Sequence, residues 1–562
     1  MPEKVPPRRP LSTSRTVLTM LVALWLMLAT NLPFWRTVWQ GVGGLDNDNP
    51  LFLLSLPLFV WLWLFGLLSL LAWGRATRVV LGALMLLAAT ASYFIHSYGV
   101  LIDGDMLANV LQTDRGEALE LVNGRMLLWI GAFGVLPVLL LGRVRLVVGP
   151  WRRELALKLG GIAFALAGIG GIVLSLYQPY ASLVRNHREL RLLLTPSNLV
   201  GAVHSYASRQ LQTPARLQVV GADAHRVLPA GGAGKPRLTV LVVGETARAA
   251  NFSLNGYGRP TNPELAAARV VSFTEVRSCG TATATSVPCM FLDVGRDGYR
   301  DAYAKSREGL LDVLQRAGVA VLWRDNNSGC KGACDRVPSE DVAALQLPEL
   351  CRDGACHDEA LLVGLQDYLD RLERDAVVVL HMKGSHGPAY FKRYPPAFAR
   401  FAPACADSQL DRCTPQSIVN AYDNSLLYTD HVLKRTIELL ERNAARFDTA
   451  MLYLSDHGES LGENGIYLHG LPYAMAPDEQ KHIPMILWLS EGLQRREGIR
   501  SACLEKRRAA PLSHDNLFHS VLGLMGVRTD AYQPQRDLFR PCRPEGIALA
   551  GEGDPARNGN EL

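Results

Sequence analysis

A carboxylate and an imidazole side by side can hold a divalent cation, and Asp456-His457 stand in that relation at the end of the apolar run AMLYLSDHGES, residues 450–460. Two further apolar runs end in similar groups. LTVLVVGET carries Glu245 just past its run, and DAVVVLHMKGSHG carries His381 and His386 just past its own. Three such endings on one side of a parallel sheet would assemble a metal-centred active site, because open α/β sheets gather ligands at the carboxyl ends of their strands. The hydroxyl-rich turn SCGTATATSVPCMF offers a nucleophile from among Thr281, Thr283 and Thr285. Threonine is a poor nucleophile at its free pKa, so such chemistry calls for a metal such as zinc to help remove its proton.

Elements that would position these groups alternate along the second half of the chain. Strand-like runs at 238–243, 319–323, 376–381, 450–454 and 484–488 are separated by helical stretches at 305–317, 357–373 and 417–442. This alternation predicts a mostly parallel sheet with helices on both faces, one α/β catalytic domain over 236–545. A second Asp-His dipeptide, Asp430-His431, falls inside a helical stretch and reads as a structural surface pair.

The first third of the chain is different. With 562 residues and 48% hydrophobic content the chain exceeds one ordinary domain, and the apolar excess lies in front. Runs at 16–35, 51–73, 79–98, 126–142 and 157–177 are each long enough to cross about 30 Å of hydrocarbon, so residues 1–177 read as five transmembrane helices. Acidic residues, rather than a small-residue cleavage site, follow the first run, which therefore reads as a retained span and not as a cleaved signal. Lys4, Arg8, Arg9, Arg15, Arg75, Arg78, Arg143, Arg145, Arg152, Arg153 and Lys158 fall on one side of these spans, which marks that side and the N-terminus as cytoplasmic. Five crossings then put everything after Tyr177 outside. All ten cysteines lie there, and their spacing reads as pairs: Cys279-Cys289, Cys330-Cys334, Cys351-Cys356 and Cys405-Cys413, leaving Cys503-Cys542. Disulfides persist in oxidising compartments, which fits that topology. The formal charge of +5 resides mostly in the cytoplasmic loops and does not indicate nucleic-acid binding. Residues 178–235 mix apolar and basic residues at helical spacing, as interfacial helices do, and end in the flexible joint GGAGKPR. The composition of 546–562 predicts a disordered tail.

Read together, GETARAANFSLNGYGRPTNP, CGTATATSVPC, DNNSGCKG, GSHGPAYFKRYP and SDHGESLGENGIYLHG, in this order behind five spans, resemble the phosphoethanolamine transferases that modify lipid A, including the mobile colistin-resistance enzymes. The resemblance implies an alkaline phosphatase/sulfatase-like catalytic domain on the periplasmic side of the bacterial inner membrane. It implies transfer of phosphoethanolamine from phosphatidylethanolamine to a lipid A phosphate, which lowers the negative charge of lipopolysaccharide and confers polymyxin resistance.

Residue by residue, the resemblance implies Thr283 as nucleophile, four residues after the first cysteine of its turn, and Glu245, Asp456 and His457 as zinc ligands with Thr283 completing the set. It places His386 and His469 beside substrate phosphate or a second metal, so that one zinc or two would operate. Lys331 and Ser328 match a phosphate-binding loop. In the membrane domain, DMLANVLQTDRGE nominates Asn109, Thr113 and Glu117 for the ethanolamine head group, and His381 joins the substrate-binding candidates. The protein is expected to act as a monomer on membrane lipids. Alternative acceptors are the Kdo or heptose sugars of the lipopolysaccharide core or a periplasmic glucan. An alternative of another class is a membrane sensor built on a catalytically dead domain, and a sulfatase is disfavoured because no C/S-x-P-x-R sequence supplies its nucleophile.

Overall fold

The computed structural model describes residues 12–44, 49–113, 115–147, 149–211, 216–227, 234–352 and 355–544; the expected tail over 546–562 and the first half of the GGAGKPR joint lie outside them. The chain divides into two compact units. One takes residues up to 107 and 122–206, and the other takes 108–121 together with everything from 207 onward.

The first unit is helical: α1 (Arg15–Ala29), α2 (Leu32–Gly41), α3 (Pro50–Leu71), α4 (Gly74–Tyr98), α5 (Gly124–Arg143) and α6 (Trp151–Ser175). Helices α3 to α6 are long and apolar enough to cross a membrane, and leucines such as Leu54, Leu128 and Leu174 project outward from them, as lipid-facing side chains do. The first expected span is not one straight helix. α1 and α2 meet at 66°. Pro33 has no amide hydrogen to continue the helical ladder, and the buried Asn31 side chain donates to Leu26 O at 2.9 Å and to Thr195 O at 2.9 Å, so the helix breaks between Thr30 and Leu32. Among the described residues, four helices, or five spans if the bent pair counts as one, therefore meet the length requirement.

The second unit is built on an eight-stranded sheet. Its strands are β1 (Arg237–Gly244), β2 (Val271–Arg277), β3 (Ala320–Asp325), β4 (Ser339–Asp341), β5 (Ala376–His381), β6 (Asp448–Ser455), β7 (His482–Leu489) and β8 (Leu512–Ser513), in the spatial order β8-β2-β7-β6-β1-β5-β3-β4. Only β7 runs against the others. Strands β1, β5 and β6 are buried along their whole length and carry the apolar runs 240–243, 376–380 and 450–454, the pattern of a parallel sheet covered on each side. The 28-residue helix from Pro415 to Arg442 covers part of it, starting at a Thr414 cap whose side chain accepts from Ser417 N. Within this helix Asp430 is structural but not at the surface: it is buried and accepts from Glu264 N and Leu265 N at 2.8 and 3.0 Å, at the start of the short helix Pro263–Ala267. The ten cysteines form the five disulfides Cys279–Cys289, Cys330–Cys334, Cys351–Cys356, Cys405–Cys413 and Cys503–Cys542.

Candidate metal centre and nucleophile

Parallel pairing sets Ser455 of β6 opposite Gly244 of β1, so the residues that follow, Asp456 and Glu245, emerge side by side at the carboxyl edge. His457 comes next, and all three are buried. His457 Nδ1 donates to Gly458 O at 2.9 Å, which turns Nε2 inward to 3.3 Å from Glu245 Oε1 and 3.3 Å from Asp456 Oδ2. Asp456 Oδ1 accepts from Thr246 N at 3.2 Å and from His457 N at 2.7 Å, whereas Oδ2 has no hydrogen-bond partner among the described residues.

Two carboxylates this close, out of water, need positive charge between them. Without a metal a proton on His457 has that role: burial disfavours it, yet Asp456 and Glu245 push its pKa up to about 10. Burial and the Glu245 charge raise Asp456 to about 6, while His457 holds Glu245 well below the usual carboxylate range against the effect of burial. An inward imidazole nitrogen, two carboxylates and an unpartnered carboxylate oxygen form a donor set suited to zinc.

Thr283 completes the ring of oxygens. It opens helix α7 (Thr283–Met290), and its hydroxyl lies 3.1 and 3.0 Å from the two Glu245 oxygens and 3.3 Å from His457 Nε2. Of the three threonines that compete in sequence, Thr281 is instead committed to Leu471 O at 2.6 Å. Besides its disulfide, the turn is held by Gly280 N donating to Ser286 Oγ at 2.8 Å and by His514, which accepts from Cys279 N at 3.0 Å and donates to Ser455 O at 2.9 Å. His514 thus ties the turn that carries Thr283 to the end of β6, next to Asp456 and His457.

A second ring of groups lies against the first. His469 packs on His457 with ring centroids 4.4 Å apart, and His386 on His469 at 5.5 Å. Glu459 fixes His469 by accepting from Nδ1 at 2.8 Å and is itself held by the Tyr390 hydroxyl at 2.6 Å. His386 Nδ1 is buried with no hydrogen-bond partner among the described residues, and burial pushes its pKa down to about 3, so the ring is neutral at pH 7. Glu245, His386 and His469 form a second group able to hold a metal. Lys331 sits in a turn closed by Cys330–Cys334, in the left-handed region at φ 52°, with its ammonium 2.8 Å from both Ser328 O and Ser328 Oγ and 3.3 Å from Gln112 O.

Segment 108–121 belongs to this same unit. Glu117 pairs with Lys383 and lies 4.0 Å from His386 Nε2, while Glu120 meets Arg393 at 2.6 Å. Asn109 and Thr113 stand one helical turn apart on this segment, the Thr113 hydroxyl donating to Asn109 O at 2.8 Å.

His381 does not behave as a substrate contact. It is fully buried, Nδ1 donates to Asp325 Oδ2 at 2.9 Å, and Nε2 meets Asn327 Nδ2 at 3.3 Å, so both ring nitrogens are engaged behind the site. The strand continues through His381, which keeps the side chain within the sheet layer. Reading the sequence misses Asn327, Lys383, Glu459 and His514. The first three stand inside or beside quoted motifs, where a polar residue next to a ligand is the available signal; His514 has none.

Residues 60–211 match the family described as phosphoethanolamine transferase EptA/EptB, and residues 237–527 match the family described as sulfatase. Phosphoethanolamine transferase EptA of Escherichia coli (strain K12) is 44% identical over 526 residues, covering 93% of this chain and 96% of that protein. Phosphatidylethanolamine transferase Mcr-1 of Escherichia coli is 39% identical over 541 residues, covering 94% and 98%. The structure of the integral membrane protein lipooligosaccharide phosphoethanolamine transferase A from Neisseria meningitidis matches with a TM-score of 0.92 at 38% identity, over 95% of this chain and 100% of that one. With both units matched and identity sustained along nearly the whole length, the chain belongs to the phosphoethanolamine transferase family.

Proposed function

We propose that this enzyme moves phosphoethanolamine from phosphatidylethanolamine to a phosphate of lipid A through a phosphoethanolamine-threonine intermediate on Thr283. The observation that carries this reading is the Thr283 hydroxyl, 3.0–3.3 Å from the Glu245 carboxylate and His457 in a buried cluster of acceptors. Glu245, Asp456 and His457 would hold the zinc, and Glu245, His386 and His469 would hold a second ion if two operate. Bound zinc supplies positive charge beside the nucleophile and the phosphoryl oxygens.

Thr283 Oγ attacks phosphorus, the bond to the diacylglycerol oxygen breaks, and the hydroxyl proton leaves toward Glu245, to which it already points. The diacylglycerol alkoxide takes a proton from His469, whose orientation Glu459 fixes. In the second half an oxygen of a lipid A phosphate attacks the same phosphorus, its proton passing to His469, and Thr283 Oγ leaves, taking back the proton held by Glu245. As the first residue of α7, Thr283 lies at the positive end of that helix, which favours the negative charge gathering there. Lys331 and Ser328 would stabilise the equatorial phosphoryl oxygens, and Asn109, Thr113 and Glu117 would receive the ethanolamine ammonium.

Similarity to a lipooligosaccharide transferase over nearly the whole chain supports a lipopolysaccharide acceptor, and similarity to a phosphatidylethanolamine transferase supports the donor. Five disulfides and the apolar helices support a multi-pass inner-membrane protein with its catalytic unit in the periplasm. On this reading the product is a less anionic lipopolysaccharide that binds polymyxin weakly.

Intact-mass measurement after incubation with phosphatidylethanolamine should show one added phosphoethanolamine, absent in Thr283→Ala. Lipid A from cells expressing the enzyme should gain phosphoethanolamine on its phosphates. An adduct that persists in Thr283→Ala refutes the nucleophile, and unmodified lipid A alongside a modified core sugar refutes the acceptor.

A further inference from the structure

We infer that the helical unit carries a binding site for an anionic phospholipid headgroup, the phosphodiester of a lipid such as phosphatidylglycerol, at the ends of α1, α3, α4 and α6. A cavity of about 330 Å³ opens there, within the size range of small-ligand pockets. α1 begins at Arg15, α3 ends at Leu71, α4 begins at Gly74 and α6 begins at Trp151, so four spans start or stop at the same level. That is where a bilayer gives way from hydrocarbon to headgroups. Trp73 and Trp151 line the cavity and are 47% and 70% exposed, as aromatic residues anchored in that layer are.

The charges in the wall select the ligand. Three ionisable residues line the cavity: Arg15, Glu154 and Lys158. Arg15 Nη1 and Glu154 Oε2 pair at 3.2 Å, and Glu154 Oε1 accepts from Gly149 N at 3.0 Å, so each oxygen of that carboxylate already has a partner. Arg15 Nε is buried and has no hydrogen-bond partner among the described residues. Lys158 donates to Ala72 O and stands 4.0 Å from the Trp73 ring centroid, and no acidic side chain among the described residues reaches ion-pair distance of it. One positive charge without an acidic partner thus faces the cavity, whose wall also includes Ser69. A monoanionic phosphodiester neutralises that charge. A zwitterionic headgroup adds an ammonium, and Glu154, the acidic residue of the wall, is already paired with Arg15. Basic pockets between helix ends are a recurrent way for membrane proteins to hold anionic lipid. None of these residues belongs to the α/β unit, so the site is separate from the transfer chemistry.

The test uses the full chain purified in detergent, offered equal amounts of phosphatidylglycerol, phosphatidylethanolamine and phosphatidylcholine of matched acyl chains and examined by native mass spectrometry. Phosphatidylglycerol should be retained preferentially. Lys158→Gln should weaken its retention about fivefold, the effect of one cation near a headgroup, and Lys158→Arg should restore it. Ser69→Leu, which fills the cavity without changing charge, should remove the preference, and the melting temperature of each variant reports whether it is folded. Equal retention of the three lipids, or undiminished phosphatidylglycerol in folded Lys158→Gln and Ser69→Leu, overturns the proposal. So does inorganic phosphate that displaces phosphatidylglycerol and raises the melting temperature as much, since the site would then take a free anion.

Discussion

Asn327 donates its side-chain amide to Glu245 Oε2 at 2.6 Å, a hydrogen bond between two residues 82 positions apart. Behind the amide stand His381, Asp325 and the Trp323 indole, which donates to Asp325 Oδ2 at 2.8 Å, so the donor is braced from inside the sheet. One Glu245 oxygen is thereby held by the protein, and Oε1 is left nearest His457 Nε2. Outer partners of this kind orient metal ligands, and their loss costs about ten- to a hundredfold in affinity. Asn327→Ala is expected to weaken zinc binding by that factor with little change in melting temperature, measured by competition with a chromophoric chelator. Unchanged affinity would mean that Glu245 needs no such brace.

Glu117 is held by the Lys383 ammonium, so the carboxylate nominated for the donor's ammonium already has a cation of the chain's own. Binding of ethanolamine at Glu117 then competes with Lys383. Lys383→Gln should lower the KM for phosphatidylethanolamine about fivefold, on the order of 1 kcal/mol, with kcat nearly constant. A raised KM would instead make Lys383 a partner of the substrate rather than its rival.

A proton on His457 is expected to compete with the zinc proposed for this centre. His457 is shifted up to about 10 from an ordinary value of 6.5, so its proton favours the metal-free fold fully below pH 6.5 and ceases to do so as pH rises through 10. Apparent zinc affinity should therefore climb with pH between about 6.5 and 10, close to tenfold per unit for one proton. Calorimetric titration at pH 7 in two buffers of different ionisation enthalpy should show about one proton released per zinc. A buffer-independent heat would contradict the protonated His457.

The parts of this architecture legible in the sequence are those set by local pattern. Apolar runs flanked by Glu245, His381 and Asp456-His457 announce strands and the edge where they end, because ligands follow directly on a strand that the sheet must bury. Strand β2 escapes notice because its partly exposed residues Thr274 and Glu275 interrupt the apolar run. The choice among Thr281, Thr283 and Thr285 depends on how the turn is pinned to Leu471 and His514, contacts made across 190 and 235 positions. Composition cannot express those distances. The role of His381 fails for a similar reason: whether a histidine at a strand end faces ligand or core depends on one residue of strand length. The break at Asn31 follows from a side chain that bonds to Thr195, 164 positions away.

Gly384 lies in the turn that carries His386, and its backbone is fastened to Glu245 because Ser385 N donates to Glu245 O at 3.0 Å. Its φ is +55°, and a Cβ there would stand 2.6 Å from Glu245 O and 2.8 Å from Glu245 N. Both atoms are backbone of a residue at the end of β1, so they cannot step aside without moving the carboxylate. Gly384→Ala should therefore cost about 2 kcal/mol or more, from left-handed strain together with the clash, and should also weaken zinc binding. Gly318 is the control: its φ is +83°, but a Cβ would meet nothing within 4 Å. Gly318→Ala should show only the strain, about 1–2 kcal/mol, with zinc affinity unchanged. Thermal unfolding and chelator competition on both variants separate the two effects, and equal zinc affinity in the two would show that the turn does not position Glu245.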